Sequence, residues 1–142
     1  MNMSFREKSI WISLLTTILV FGYYFANAFS ALTSFSVDNR GLIGLFIGVV
    51  VLMIIVEVVL NIILAIASRN QAGEAEDERD NLIRLKSTRI SYLVLVFGVW
   101  AVAMSLLLSA SPLAMANIII FFFILAEIVG FSTQLFYYRK GI

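Results

Sequence analysis

The sequence contains no cysteine and no histidine, and only one of its 142 residues is a proline. The absence of thiols and imidazoles excludes disulfides, thiol redox chemistry, haem ligation by histidine, most zinc sites, and any Cys or His nucleophile or base. Charged residues are also scarce, at 13%, and the net charge of +1 gives no reason to expect nucleic acid as a partner. Carboxylates, hydroxyls and amides remain for chemistry, and we expect no metal, no cofactor and no catalytic residue.

Apolar residues dominate instead: 61% of the chain is hydrophobic and its mean hydropathy is +0.99. Soluble domains are closer to half apolar, so this composition predicts a protein whose main partner is the lipid bilayer. A spanning helix needs roughly 20 mostly apolar residues, and four segments qualify, at about 10–30, 42–68, 90–110 and 113–138. Because backbone groups in the bilayer must bond within their own segment, we predict an all-α protein, with residues 1–142 forming a single four-transmembrane-helix bundle.

Lys and Arg lie almost entirely on one side of these spans. Two precede the first span, five lie between the second and third, two follow the fourth, and only Arg40 lies on the other side. Cytoplasmic loops carry the excess of Lys and Arg in multi-pass proteins. We therefore predict that both termini and the loop 69–89 are cytoplasmic.

The loop 69–89 is the only long polar stretch, and its charges are ordered along the chain. Five acidic residues come first, and the basic residues at 84, 86 and 89 follow. Acids at the start of a helix and bases further along suit the helix dipole, and Asp80 with Arg84 makes an i,i+4 pair. The order predicts a helix from about Asp77 into the third span. This segment is either a solvated extension that fixes topology or a docking surface for a cytoplasmic protein, formed by Asp77, Asp80, Arg84 and Arg89.

Two sequence motifs carry a family resemblance. "DERDNLIRLKSTRISY" (Asp77 to Tyr92) leads from a charged loop into a span, and "MSFREKSIWISLL" (Met3 to Leu15) opens the chain. Both resemble segments of small bacterial multi-pass membrane proteins of the DUF2178-like group. The resemblance implies a four-helix protein of the bacterial inner (plasma) membrane, and it supplies neither an activity nor a catalytic residue.

Small residues within the spans predict where helices approach closely. "GLFIG" places Gly44 and Gly48 in a G-x-x-x-G motif, and Gly98 and Ser105 belong to a seven-residue repeat of small residues in the third span. Gly48 and Glu57 are half a turn out of phase at 100° per residue, so the glycines point away from Glu57. The glycine face is predicted to pack on another helix of the chain or to form a homo-oligomer.

Two glutamates lie inside predicted spans. Counting from the cytoplasmic span ends at Ser68 and Tyr138, Glu57 and Glu127 each lie eleven residues in, about 16 Å at 1.5 Å per residue. That depth is near the middle of a hydrocarbon core about 30 Å thick. A charged side chain there costs at least about 2.5–3.5 kcal/mol, so we expect at least one glutamate to be protonated at neutral pH and to donate a hydrogen bond.

Each glutamate has an amide on the same helix. Asn61 follows Glu57 by one turn and Gln134 follows Glu127 by two. These four residues form the predicted intramembrane polar site. They either hold helices together, as interhelical amides do, or bind a proton, a cation or a polar ligand, because ionisable residues within spans are functional suspects. A bound cofactor or lipid headgroup is the third alternative.

Three functions follow from these features. The first is a non-enzymatic integral membrane protein with a regulatory or interaction role. The alternative is a small oligomeric transporter or channel coupled to protons or cations. An intramembrane enzyme is disfavoured because no nucleophile or metal set accompanies the two carboxylates.

Overall fold

The structure, a computed structural model, describes residues 4–33, 39–67 and 77–141. The polar residues 69–76, with Arg69, Glu74 and Glu76, and the side chain of Arg40 fall outside this part. The described residues contain four helices: α1 (Phe5–Thr33), α2 (Asn39–Ala67), α3 (Glu78–Leu107) and α4 (Pro112–Lys140). All four are long and apolar enough to cross a membrane, which confirms the predicted all-α chain with four such helices.

The chain divides into two units, Met1–Gly73 and Glu74–Ile142, and each is an antiparallel helical hairpin. In the first hairpin, Ser9 near the start of α1 bonds to Asn61 near the end of α2, and the rings of Tyr24 and Phe46 lie 5.6 Å apart. These two contacts fix the register of the helices.

The core of the α1–α2 hairpin is built around one tyrosine. Tyr24 is buried, and its ring meets those of Phe21, Phe25 and Phe46 edge-on. Edge-to-face geometry places the positive edge of one ring on the negative face of another, which stabilises the cluster beyond area burial. The aromatic cluster lies towards the connection between the helices, away from the end that holds Ser9 and Asn61.

Helix α3 begins where the acidic run of the sequence predicts. Asp77 is its N-cap, and the side chains of Asp77 and Asp80 form a capping box at the first turn. The Asp77 side chain satisfies backbone N–H groups that have no partner within the helix, and Asp80 accepts from the Asp77 N–H in return. The prediction of a helix from about Asp77 into the third span is confirmed.

The connection from α3 to α4 is tight and carries its own hydrogen bonds. Ala110 N donates to Ser105 O and Ser109 N donates to Leu106 O, the pattern of a Schellman motif. Ser109 takes the left-handed conformation that ends the helix (φ 55°), so α3 stops at Leu107, short of the predicted 110. Ser111 then caps α4 through Ala114 N, and Pro112 occupies the first turn as its sequence position predicts.

Two glycines let α3 and α4 approach closely. A Cβ added at Gly98 would lie 2.4 Å from the Cβ of Phe122, and one at Gly130 would lie 2.5 Å from the Oγ of Ser91. Ser105, the other small residue singled out in α3, is buried and bonds to Val102 O of its own helix. The predicted packing role of Gly98 therefore has a definite partner on α4.

Gly44 and Gly48 differ from these glycines although they carry the clearer motif. Both are exposed, and no heavy atom of the described residues lies within 4 Å of where their Cβ atoms would be. Large apolar side chains on α2 are also exposed, Ile47, Val51 and Ile55 among them. What this face packs against in the membrane stays a prediction.

Candidate functional site

A groove of about 240 Å³ with both polar and apolar walls lies on the α3–α4 hairpin. It brings together two of the predicted site residues, Glu127 and Gln134 of α4. Its other polar walls come from α3, which the sequence did not assign to this site: Thr88, Ser91 and Tyr92. These three α3 residues are at positions i, i+3 and i+4, which lie on one face of a helix. That spacing is the sequence signal from which they could have been predicted.

The floor of the groove is made by the close approach of the two helices. Ser91 Oγ donates to the carbonyl oxygen of Ala126 at 2.9 Å, and Gly130, with no side chain, leaves room for the serine. This bond satisfies the part-buried hydroxyl and fixes the register of α4 against α3. Glu127, the residue after Ala126, therefore lies at the level of Ser91.

This register places Glu127 at the edge of the apolar part of α3. The basic residues of α3 end at Arg89, and its apolar run begins at Ile90, immediately before Ser91. Counting along α4 alone predicts the middle of the membrane for Glu127. The depth of Glu127 from the helix register differs from the depth counted along α4. The reason is that the last turns of α4, up to Lys140, pair with the polar first turns of α3.

A second polar cluster surrounds Glu57 in the α1–α2 hairpin. Ser9 Oγ donates to Asn61 Oδ1 at 2.6 Å, and Asn61 Nδ2 donates to the backbone oxygen of Glu57 at 2.9 Å. The Asn61 side chain thus bonds to Ser9 and to the backbone, and not to the buried Oε1 of Glu57. Ser9 was missed by the sequence analysis, although it leads the spacing of four shared with Ser13 and Thr17.

One oxygen of the Glu57 carboxyl is unsatisfied within the described part of the chain. This oxygen, Oε1, is buried and has no hydrogen-bond partner there, and the same holds for Oγ1 of the fully buried Thr17. The antiparallel register puts Glu57 level with Ser13 and one turn from the level of Thr17. Two orphaned polar atoms on one helix interface stand out, because buried polar groups are almost always hydrogen-bonded.

Glu57 and Glu127 belong to different hairpins, and the expectation that at least one of them is protonated stays a prediction. Across residues 4–33, 39–67 and 77–141, no group of three or more Asp or Glu side chains is arranged to hold a metal ion.

The polar end of the α3–α4 hairpin is held by side chains from both helices, and we call residues 77–89 with 137–140 the charged end. Tyr138 Oη donates to Asp80 Oδ1 at 2.6 Å, and Arg79 Nη2 donates to Tyr138 O at 3.3 Å while its guanidinium lies 6.0 Å from the Tyr138 ring. Lys86 Nζ lies 5.6 Å from the Tyr137 ring. The start of α3 and the end of α4 are therefore joined by several polar and cation–π contacts.

The four predicted docking residues have different positions at the charged end. Asp77 caps the helix and Asp80 is turned towards α4, where it accepts the Tyr138 bond. Arg84 donates to the side chain of Asn81 at 3.1 Å, and Arg84 and Arg89 are exposed. Asp80 is therefore part of the scaffold of this end, and the two arginines are on its surface.

Compared with protein-family models, curated proteins and solved structures, the chain matches none of them. Its function is therefore inferred from its own residues.

Proposed function

We propose that this chain is a non-enzymatic integral membrane protein with a regulatory or interaction role. The observation that carries the proposal is the charged end, where Tyr138 and Arg79 tie the end of α4 to the start of α3. A surface fixed by tertiary contacts costs less ordering entropy on binding than a mobile loop does. Arg84 and Arg89 are exposed on this surface and supply charges that would select an acidic partner.

The membrane and topology are part of the same proposal. Both termini and the charged end face the cytoplasm, as the distribution of Lys and Arg indicates. The location is the bacterial inner membrane, supported by the resemblance to the DUF2178-like group. A homo-oligomer through Gly44 and Gly48 is compatible with the open space beside both glycines.

Site-specific photocrosslinking in cells tests the interaction role. A photoreactive residue at Leu82, which is exposed on the charged end, is expected to give a discrete protein adduct. The matched position is Leu106, exposed near the opposite end of α3, where only lipid adducts are expected. Arg84→Glu should reduce the Leu82 adduct about fivefold, because charge reversal at an interface rim weakens association modestly. Lipid adducts alone at both positions would remove the interaction role.

The second candidate is a small oligomeric transporter or channel coupled to protons or cations, and one observation favours it. The orphaned Oε1 of Glu57 and Oγ1 of Thr17 are groups that a proton or a small cation would satisfy. Ser13 lies at the same level of α1 and adds a hydroxyl to this interface.

A flux assay in liposomes distinguishes the two candidates. A coupled transporter predicts proton or sodium flux above that of empty liposomes, reduced to background by Glu57→Gln and unchanged by Glu78→Gln at the exposed start of α3. An interaction protein predicts no flux above background for the wild-type chain. Flux that survives Glu57→Gln would show that Glu57 is not the coupling group.

A further inference from the structure

We propose that the α3–α4 groove binds the headgroup of a phospholipid with a primary ammonium group, of the phosphatidylethanolamine class. Glu127 receives the ammonium, and the phosphate lies towards Thr88. The inference deepens the proposed interaction role by naming a ligand for its polar site.

The apolar run of α3 indicates how deep the groove lies in the bilayer. The apolar run of α3 from Ile90 to Leu107 is about 27 Å long at 1.5 Å per residue. That length matches a hydrocarbon core of about 30 Å, with Trp100 near its centre. A membrane fitted to this run has its cytoplasmic boundary at Arg89 and Ile90.

The pairing of α3 with α4 then gives the position of the same membrane boundary on α4. Since Ala126 bonds to Ser91, α4 crosses the same boundary at about Glu127, and its remaining turns accompany the charged end. Tyr92 lies within one turn inside this level and Tyr137 and Tyr138 lie outside it, as interfacial aromatic residues do. Glu127 thus lies at the depth of lipid headgroups and glycerol, where a charged ligand is abundant.

The chemistry of the groove favours an ammonium group at Glu127. The carboxylate and the side-chain oxygen of Gln134 are acceptors, and Tyr92 and Phe131 add aromatic rings to the walls. Ammonium donors pair with carboxylates through charge-assisted bonds and gain further from aromatic faces. A primary ammonium can donate these bonds, whereas the methylated ammonium of a choline headgroup cannot.

The phosphate of the same headgroup has a partner beside the groove. Thr88 contributes a hydroxyl to the wall, which can donate to a phosphate oxygen. Thr88 and Tyr92 are exposed, so a lipid has access from the α3 side.

Lipid selectivity of the purified, full-length protein tests this proposal. In native mass spectrometry from detergent, phosphatidylethanolamine, phosphatidylcholine and phosphatidylglycerol with identical acyl chains are titrated in parallel. We expect phosphatidylethanolamine to bind about tenfold more tightly than either of the others, the effect of one charge-assisted contact. Glu127→Gln should abolish this preference, Glu127→Asp should retain part of it, and Glu78→Gln should leave it unchanged.

Each other outcome overturns the assignment. Equal binding of the three lipids by the wild-type chain would make the bound lipid merely annular. A preference for phosphatidylglycerol would assign binding to the basic residues alone. Displacement of the lipid by millimolar phosphoethanolamine would make the ligand a soluble amine. A phosphatidylethanolamine preference that persists in Glu127→Gln would place the lipid elsewhere. Glu127→Asp keeps the carboxylate and carries the test if Glu127→Gln fails to fold. The Leu82 photocrosslink reports the docking surface independently, so failure here is distinguishable from failure of the interaction role.

Discussion

Gly98→Ala is expected to destabilise the α3–α4 hairpin by about 1–3 kcal/mol, the usual cost of overpacking a close contact. The new Cβ would lie 2.4 Å from the Cβ and 2.8 Å from the Cγ of Phe122. A Cβ is fixed to its backbone, so Phe122 cannot relieve the clash by changing rotamer. The two helices must separate, which also weakens their contacts on either side of Gly98.

Gly22→Ala is the matched control for this prediction. Gly22 is also inside a helix, but no heavy atom of the described residues lies within 4 Å of its Cβ position. There the substitution should be neutral or stabilise the helix by up to about 1 kcal/mol, because alanine has the higher helix propensity. Thermal unfolding in detergent, followed by circular dichroism, measures both variants. Equal effects at the two positions would show that α3 and α4 are not packed as described.

The glycines show how far sequence reasoning reaches in this chain. The repeat of small residues selected Gly98 and the G-x-x-x-G motif selected Gly44 and Gly48, yet only Gly98 contacts a described neighbour, Phe122. A small residue indicates that close approach is allowed. It does not indicate which helix approaches, because that depends on the pairing and register of helices distant in the chain.

The same limit explains the outcome for Asn61. Its spacing from Glu57 indicated a local pair, and the local bond does form, to the Glu57 backbone oxygen. The side-chain oxygen of Asn61 instead accepts from Ser9, 52 positions away. A partner on another helix cannot be found from periodicity within one helix.

Helix boundaries were predictable where local chemistry sets them. Asp77 and Asp80 form the capping box that starts α3, and Ser111 with Pro112 starts α4. The end of α3 was harder to predict from the sequence, because Ser109 adopts a left-handed conformation that is usually found at glycine. The early stop at Leu107 therefore has no strong sequence signal.

The depth of Glu127 is the point on which sequence counting and helix register differ most. Counting inward from Tyr138 assumes that the end of α4 lies at the membrane surface. The bonds of Tyr138 with Asp80 and Arg79 show that the last turns of α4 accompany the polar turns of α3. If that polar end is outside the hydrocarbon, the groove is within reach of lipid headgroups, and this is the central claim.

Nitroxide depth measurement at Ser132 tests this claim most directly. Ser132 is exposed on α4 and lies five residues beyond Glu127, about 7 Å further towards the charged end. Because the chain has no cysteine, Ser132→Cys gives a single labelling site. Collision rates with oxygen, which concentrates in hydrocarbon, and with a nickel chelate, which stays in water, then report the depth of the label in liposomes.

Leu85→Cys and Trp100→Cys provide the two reference depths, since Leu85 lies among the charged turns of α3 and Trp100 is 62% exposed at the centre of its apolar run. The structure predicts that the label at Ser132 behaves like that at Leu85, with nickel collisions dominant, while the label at Trp100 collides mainly with oxygen. Oxygen collisions at Ser132 as dominant as those at Trp100 would place these turns of α4 inside the hydrocarbon and contradict the headgroup-level groove.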